Sequence, residues 1–325
     1  MKAAVYSKYG APSVLKIKEV KKPIPNSHEV LVKIIATSIN SADAEMLKGS
    51  LLGRLSGIFK PSFKILGSDI SGVVEAIGSE VTFFKVGDAV YGDMTESRFG
   101  TFAEYKTVNE KALSQKPDYL SFIEAAALPS AGVIALQSVN NRKNLRSGDQ
   151  VLINGAGGGM GTLAVQITKA LGAEVTGIDK KVKLGAVRAI GADHVIDYEV
   201  IKYTKLKEHY DRIIDCQAFY GPVKYRRLLK EHGVFYMIGG SVSSLLRMAI
   251  FGSLLSSKST KKLGVLLGRP NKQEDIKRLE RLVEEKSIRP IIDKCFKLDD
   301  IVTAFEYFET GNFVGKIIIE ITDNI

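Results

Sequence analysis

The run Val151-Leu152-Ile153-Asn154-Gly155-Ala156-Gly157-Gly158-Gly159-Met160-Gly161 constrains this chain more than any other stretch. A short apolar strand runs directly into a glycine-rich turn. A helical pattern follows, with Leu163, Val165, Ile167, Ala170 and Leu171 at its apolar positions. Only residues without bulk let a backbone close on an anion, and a helix N-terminus offers unpaired N–H groups with a partial positive charge. The spacing Ala156-x-Gly158-x-x-Gly161 matches the dinucleotide pattern with alanine in its first slot. The next apolar run, 174–178, ends at Asp179, about twenty residues beyond the glycines, where a ribose-binding carboxylate is expected. A strand-to-helix turn without a ligand is the plainer alternative. The full order of strand, turn, helix, strand and acid implies a diphosphate cradle on Ala156, Gly158, Gly159, Met160 and Gly161.

The flanking sequence places this cradle in a second domain. Residues 2–6, 15–20, 29–36, 70–77 and 89–92 are short β-prone runs punctuated by Gly, Pro, Asn and Asp. They predict an antiparallel, barrel-like body. From Phe122 the pattern turns helical, over 122–128 and 131–139, interrupted by Pro129. Beyond Gln150, strands are predicted at 151–154, 174–178, 194–196, 212–216, 234–238 and 263–267, with helices such as 181–190 and 223–229 between them. That alternation predicts a parallel sheet covered on both faces. A helix at 274–286 carries Ile276, Leu279, Leu282 and Val283 on one stripe. After Pro290, β-prone runs at 291–296 and 316–321 bracket a helix at 298–308, a tail expected to return to the first domain. The expected organisation is 1–121 with 290–325 as one discontinuous domain and 122–289 as the other.

The chain has 325 residues and a net charge of +10. Its lysines are scattered and lack the aromatic interleaving of a nucleic-acid platform, so a solvated basic surface is expected and nucleic acid is not. The two cysteines, Cys216 and Cys295, lie far apart with no metal-ligand spacing, which suits a reducing compartment. The N-terminal residues lack a secretory apolar region, and no apolar run approaches bilayer-spanning length. The expectation is cytoplasmic residence and no membrane partner.

Further motifs in order carry a family resemblance. They include Glu29-Val30-Leu31-Val32-Lys33, Ile65-Leu66-Gly67-Ser68-Asp69-Ile70-Ser71-Gly72-Val73-Val74 and Phe84-Lys85-Val86-Gly87-Asp88-Ala89-Val90. Gly100-Thr101-Phe102-Ala103-Glu104-Tyr105, Gly191-Ala192-Asp193-His194-Val195-Ile196-Asp197-Tyr198 and Gly311-Asn312-Phe313-Val314-Gly315-Lys316 follow. Over nearly its whole length the chain resembles the medium-chain dehydrogenase/reductase superfamily, in its zinc-independent quinone oxidoreductase branch, named for zeta-crystallin. The resemblance implies an α/β fold: a GroES-like β-barrel-type catalytic domain and a Rossmann doubly wound parallel sheet, often assembled as a homodimer. It implies a nicotinamide cofactor, NAD(P)H, and hydride transfer to or from a small-molecule quinone, an α,β-unsaturated carbonyl or a small alcohol or aldehyde. A zinc-free alcohol dehydrogenase and a non-catalytic dinucleotide sensor or structural protein are the alternatives.

Zinc-dependent relatives place a Cys after the third strand and a His-Glu pair in a Gly-His-Glu motif. Here the first place is near Ser41 and the second reads Gly67-Ser68-Asp69. Two cysteines cannot build their four-cysteine lobe, so no zinc is expected. By the same resemblance Asn40 and Asp43 lie near the nicotinamide. Asn40 is read either as a donor to the substrate oxygen or as the cap of the following helix. Asp43 is read as ordering that turn. The tyrosine many quinone reductase relatives carry shortly after this motif is replaced by the neighbourhood Glu45-Met46-Leu47. Ser130 and Gly132 match the segment behind the nicotinamide ring, Ile238-Gly239-Gly240 the loop that contacts its carboxamide, and Cys216 the adenosine-ribose side. Asp179 repels a 2′-phosphate and so leans the cofactor toward NADH, whereas Lys180, Lys181 and Lys183 are candidates to reach that phosphate. The apolar stretch 51–59 is read as lining a substrate cleft or packing on the barrel. Residues 245–255 are read as a cover over the cofactor, a dimer contact or a membrane-surface helix.

Overall fold

Two hydrophobic periods divide the chain. The computed structural model describes residues 1–54, 57–141, 144–257 and 259–322, and these separate into two compact units. The first unit holds 1–133, 270–276 and 292–322, and the second holds 134–269 and 277–291.

In the first unit Glu29–Ser38 is the strand on which the others are built. It pairs antiparallel with Asp69–Ile77, Tyr105–Asn109 and Lys316–Glu320. Ala89–Asp93 and Ser114–Gln115 extend one side of the sheet. On the other side Ile292–Lys297 pairs in parallel with Lys316–Glu320, and the helix Ile301–Thr310 lies between those two strands in sequence. Val30, Val32, Ile34, Ile70, Val74, Val90 and Val108 form one core layer. A second core joins Leu15, Leu66 and Phe102 to Phe305, the two rings meeting edge-on at 5.7 Å. The C-terminal tail returns to this unit because Ile317 and Ile319 complete that core.

The second unit is a six-stranded parallel sheet among the described residues. Its order is His194–Asp197, Glu174–Asp179, Gln150–Asn154, Tyr210–Asp215, Leu229–Met237 and Lys262–Val265. By position in the chain this is 3-2-1-4-5-6, so the order reverses between Gln150–Asn154 and Tyr210–Asp215, where doubly wound sheets bind ligands. Val151, Leu152, Ile153, Ile213, Ile214 and Phe235 are all fully buried, as a sheet covered on both faces requires. The α/β fold class read from the alternation of runs is the one observed. The strand expected at 234–238 begins earlier, at Leu229. The helix expected after Pro129 instead starts on it, as Pro129–Asn140, since a proline in the first turn has no N–H to leave unpaired. No helix among the described residues is long and apolar enough to cross a membrane.

Arg212 is the largest fully buried side chain and is 1% exposed. Its guanidinium donates to the carbonyls of Ser138 (2.9 Å), Asn141 (3.2 Å) and Val139, the last carbonyls of the Pro129–Asn140 helix region. Burial holds its pKa below the usual arginine value. It satisfies acceptors that a helix end leaves orphaned. Truncation in Arg212→Ala strands these carbonyls and opens a cavity, and should cost about 3 kcal/mol. An urea unfolding midpoint unchanged from the wild type would refute this role.

Candidate active site: a glycine cradle and a buried polar cluster

The Gln150–Asn154 strand leaves the sheet at Gly155, whose φ of 80° is the left-handed conformation glycine adopts without strain. The Gly155 and Ala156 amides both donate to the Ile178 carbonyl, at 2.9 and 3.1 Å, pinning the turn to the neighbouring strand. The turn ends with Gly158 capping the helix Gly159–Ala170. Gly161 sits where a Cβ would lie 2.0 Å from the Gly155 carbonyl oxygen, so the third glycine of the pattern is required by the close approach of helix and turn. Gly158 differs: a Cβ there meets nothing nearer than that same oxygen at 3.4 Å. Its α-carbon therefore faces open space. Alanine fits the first slot because Ala156 is fully buried and packs toward Gly177 in the sheet. Beyond Gly158, the amides of Gly159, Met160 and Gly161 form the first helical turn, where no intrahelical acceptor exists. Such a turn can hold an anion, and the residues present fit a dinucleotide diphosphate.

Asp179 is built into the cradle. One carboxylate oxygen accepts from the Gly157 amide at 2.7 Å, and the other accepts from the Lys180 amide at 2.8 Å. Lys183 Nζ lies 3.7 Å from the second oxygen, with both side chains 7% exposed. Gly157, which the spacing rule passes over, thus takes part in the site. A Cβ on it would lie 2.9 Å from Lys183 Cδ. Cys216 follows the Tyr210–Asp215 strand, and its thiol lies 3.3 Å from Met160 Sδ at the helix start. Burial pushes that thiol pKa up, so Cys216 packs as a neutral group. Gly239 lies so close to the Cys216 carbonyl that a Cβ would sit 2.4 Å from it, which seats Ile238-Gly239-Gly240 beside the same strand end. Beneath them Asp215 accepts from Asn154 Nδ2 (2.7 Å) and the Gln217 amide (2.9 Å). Asn154 Nδ2 also donates to Tyr203 Oη at 3.2 Å. This network ties the two central strand ends together at the reversal point. Only the polar residues closing two apolar runs hinted at it in the sequence.

The first unit concentrates its buried polar groups around Asp69, which is fully buried. Its Oδ2 accepts from Asn40 Nδ2 (2.8 Å), Lys316 Nζ (3.2 Å) and Ser38 Oγ, and its Oδ1 accepts from the Ser130 amide at 2.9 Å. Lys316 Nζ also donates to Asn40 Oδ1 at 2.6 Å, and Asn40 Nδ2 donates to Ser68 Oγ at 2.9 Å. Asn40 does occupy the cap position of the helix Ser41–Lys48. Its side chain, however, is turned into the cluster, with its oxygen and both amide hydrogens engaged. The reverse half of the cap is made by Asp43, whose carboxylate accepts from the Asn40 amide (2.9 Å) and the Gly67 amide (3.0 Å). Burial first, then the charge of Asp69, raises Asp43 to about 7 against the two hydrogen bonds. Burial and Asp69 likewise raise Asp93 to about 6. Gly132 donates its amide to Leu128 at 2.7 Å, so Ser130 and Gly132 both stand in the helix turn beside this cluster. Lys316, Ser38 and Ser68 were not assigned from the sequence; the closing Gly315-Lys316 pair was the available signal.

At the two places where zinc-dependent relatives carry ligands, the structure puts Ser41, which is exposed, and Ser68 with Asp69. No three His, Cys, Asp or Glu side chains among the described residues are grouped to hold a metal ion. In the 51–59 stretch, Leu51, Ile58 and Phe59 are exposed, while Leu55 and Ser56 lie outside the described residues. In the 245–255 stretch, Leu246, Ile250, Phe251 and Leu254 are exposed, and the nearby Lys258 lies outside the described residues.

Comparison with known proteins covers both units. Residues 26–118 match the alcohol dehydrogenase GroES-like domain, and residues 190–319 match the zinc-binding dehydrogenase family. The chain is 32% identical to a tomato (Solanum lycopersicum) 2-methylene-furan-3-one reductase, over 98% of its own length and 79% of the relative's. It is 30% identical to an Arabidopsis thaliana NADPH-dependent alkenal/one oxidoreductase over the same shares. Among solved structures, the quinone oxidoreductase from Coxiella burnetii superposes with a TM-score of 0.89 at 30% identity, covering 99% of each chain.

Two glycine substitutions separate folding from ligand binding. Gly158→Ala should leave the thermal unfolding midpoint unchanged and weaken dinucleotide binding by at least about tenfold, whereas Gly161→Ala should lower the midpoint itself. Equal binding by Gly158→Ala and wild type in a calorimetric titration would sink the cradle. Asp43 gives a pH signature. Its carboxyl is raised in the fold relative to the unfolded chain, so its contribution is fully present in acid and is lost as pH rises from about 4 to about 7. Asp43→Asn should therefore flatten part of the fall in stability over that window; an unaltered slope in thermal scans would exclude Asp43 as its source.

Proposed function

Since the chain belongs to the medium-chain dehydrogenase/reductase superfamily, in its quinone oxidoreductase branch, and is an oxidoreductase, we propose that it reduces conjugated carbonyl compounds, quinones and α,β-unsaturated ketones or aldehydes, with a reduced nicotinamide dinucleotide. The observation that carries this reading is the open face over Gly158 beside the first-turn amides of Gly159, Met160 and Gly161, which have no intrahelical acceptor. When bound, the dinucleotide supplies the hydride. Everything else falls to the protein's own groups. The amides hold the diphosphate. Asp179 is assigned to the ribose, and Cys216 with Ile238-Gly239-Gly240 lines the remaining strand ends.

Asn40 is the donor we assign to the substrate oxygen. Lys316 on its Oδ1 polarises the amide, which strengthens Nδ2–H as a donor when charge develops on that oxygen. To act, Nδ2 must exchange its bond to Ser68 for one to the substrate. We also read the site as zinc-independent. Serine, asparagine and a single carboxylate surround an ammonium that is 3% exposed, and a resident cation is incompatible with a divalent ion among the same donors. Conjugated acceptors suit such a site, because their own π-system spreads the negative charge that a metal would otherwise neutralise.

NADH is our preferred cofactor, because we assign Asp179 to the ribose, where its carboxylate would repel a 2′-phosphate. The proximity of Lys183 supports NADPH as a second reading, since this lysine is already close enough to offset the carboxylate. Cytoplasmic residence and a homodimer remain part of the proposal, the latter read by light scattering.

Turnover against a panel of quinones and enones, followed by loss of dinucleotide absorbance, tests the activity. Dinucleotide binding without turnover on any member would favour the sensor alternative, and oxidation of small alcohols alone would favour the alcohol dehydrogenase. NADH should exceed NADPH in kcat/KM, and Asp179→Ser should shift that ratio toward NADPH by about tenfold. A wild type favouring NADPH by about tenfold would overturn the cofactor assignment.

A further inference from the structure

A cavity in the first unit is lined by residues that belong to neither of the groups used above. It has a volume of about 540 Å³ and is lined in part by Phe63, Lys64, Arg98, Phe99 and Lys106. That volume falls within the roughly 300–1,000 Å³ typical of small-molecule sites. None of its lining residues is acidic. Three are cations, and two are phenylalanines that meet at 5.4 Å with a 56° tilt to form one apolar wall. The backbone beneath is unusual: Arg98 and Phe99 are consecutive residues at φ 65° and 57°, the left-handed region that non-glycine residues seldom enter. Such conformations persist where the surroundings impose them, commonly at ligand clamps. Here the Ser97 and Phe99 amides both donate to the Met94 carbonyl, at 3.0 and 2.9 Å, and Lys106 Nζ donates to the Ser97 carbonyl at 3.1 Å.

We propose that this cavity is a second ligand site, for a small anion with a planar apolar body such as an aromatic carboxylate. Phe63 and Phe99 take the planar body, and Lys106 meets the carboxylate with Arg98 and Lys64 at the rim. The charges bear out the pairing. Burial lowers the Lys106 amine to about 8, opposed only by the charge of Glu29 on the neighbouring strand. The other charged side chains lining the cavity with it, Lys64 and Arg98, are both positive. A bound carboxylate favours the ammonium form, so it should raise that pKa and draw in a proton. Affinity should accordingly fall as pH rises through about 8.

The test uses the full chain without dinucleotide, titrated calorimetrically with 2-naphthoate and with neutral 2-naphthamide. Naphthoate should bind at least about tenfold more tightly than the amide, and more tightly near pH 7 than near pH 9. Titrations near pH 8 in buffers of different ionisation enthalpy should reveal proton uptake. Lys106→Met should lose about tenfold in naphthoate affinity and Lys106→Arg should retain it, while both keep wild-type dinucleotide binding as the measure of an intact fold. Should Lys106→Met not fold, the exposed Arg98→Gln replaces it, with a weaker loss in the same direction. Equal binding of acid and amide, unchanged affinity in the folded lysine variant, or displacement of naphthoate by saturating NADH would each overturn the proposal. These readouts need no turnover, so they stand apart from failure of the proposed reductase activity.

Discussion

The buried Asp69 carboxylate organises the first unit. Three separate parts of the chain converge on it: Ser38 and Asn40 at the end of the main strand, Ser130 at a helix start, and Lys316 on the last strand. A buried carboxylate is costly unless every lone pair is used, and here hydrogen bonds and one ammonium use them. The geometry of Asn40 follows from this. Its amide is held in one orientation by Lys316 on one side and by Asp69 and Ser68 on the other. Charge that leaves Asp69 matched has a cost nearby. Asp43 and Asp93 share the same low-dielectric surroundings without a cation of their own in contact, and both are raised well above the ordinary aspartate range.

The second unit repeats the theme with different chemistry. Asp179 also ends a strand, and it too is met by backbone amides and a lysine. Here the carboxylate stabilises the glycine turn itself through Gly157, so the group we assign to the ribose also shapes the turn proposed to hold the diphosphate. In the proposed reading, cofactor preference and loop conformation are therefore coupled in one side chain. The coupling explains why three successive glycines stand at 157–159 where the spacing rule asks for fewer. Gly157 leaves room for Lys183, Gly158 keeps its outer face open, and Gly159 begins the helix.

Much of this was legible in the residue pattern. The alternation of strands and helices beyond Gln150, the helix that follows the glycine turn and the acid at 179 all follow from local rules about period, glycine and strand ends, whereas the order of the strands in the sheet does not. Tyr105–Asn109 and Ser114–Gln115 were missed because their residues are too mixed to show an alternation, and they are strands only by pairing with stronger neighbours. Asn40 was singled out by position, with its two readings, donor to the substrate oxygen and helix cap, left open. Local pattern supplies only the cap position, whereas the side chain answers to residues as distant in sequence as Lys316.

The order of the runs by itself determined that this chain carries a parallel sheet covered on both faces, with a glycine turn, and a β-rich body. Those features rest on interactions between residues near one another in the chain, whose periods and conformational limits are written locally. Only the tertiary structure decided which polar groups share a buried carboxylate, which glycine faces open space, and which lysine loses its solvent. Desolvation and close approach depend on atoms hundreds of residues away, and no local rule contains them.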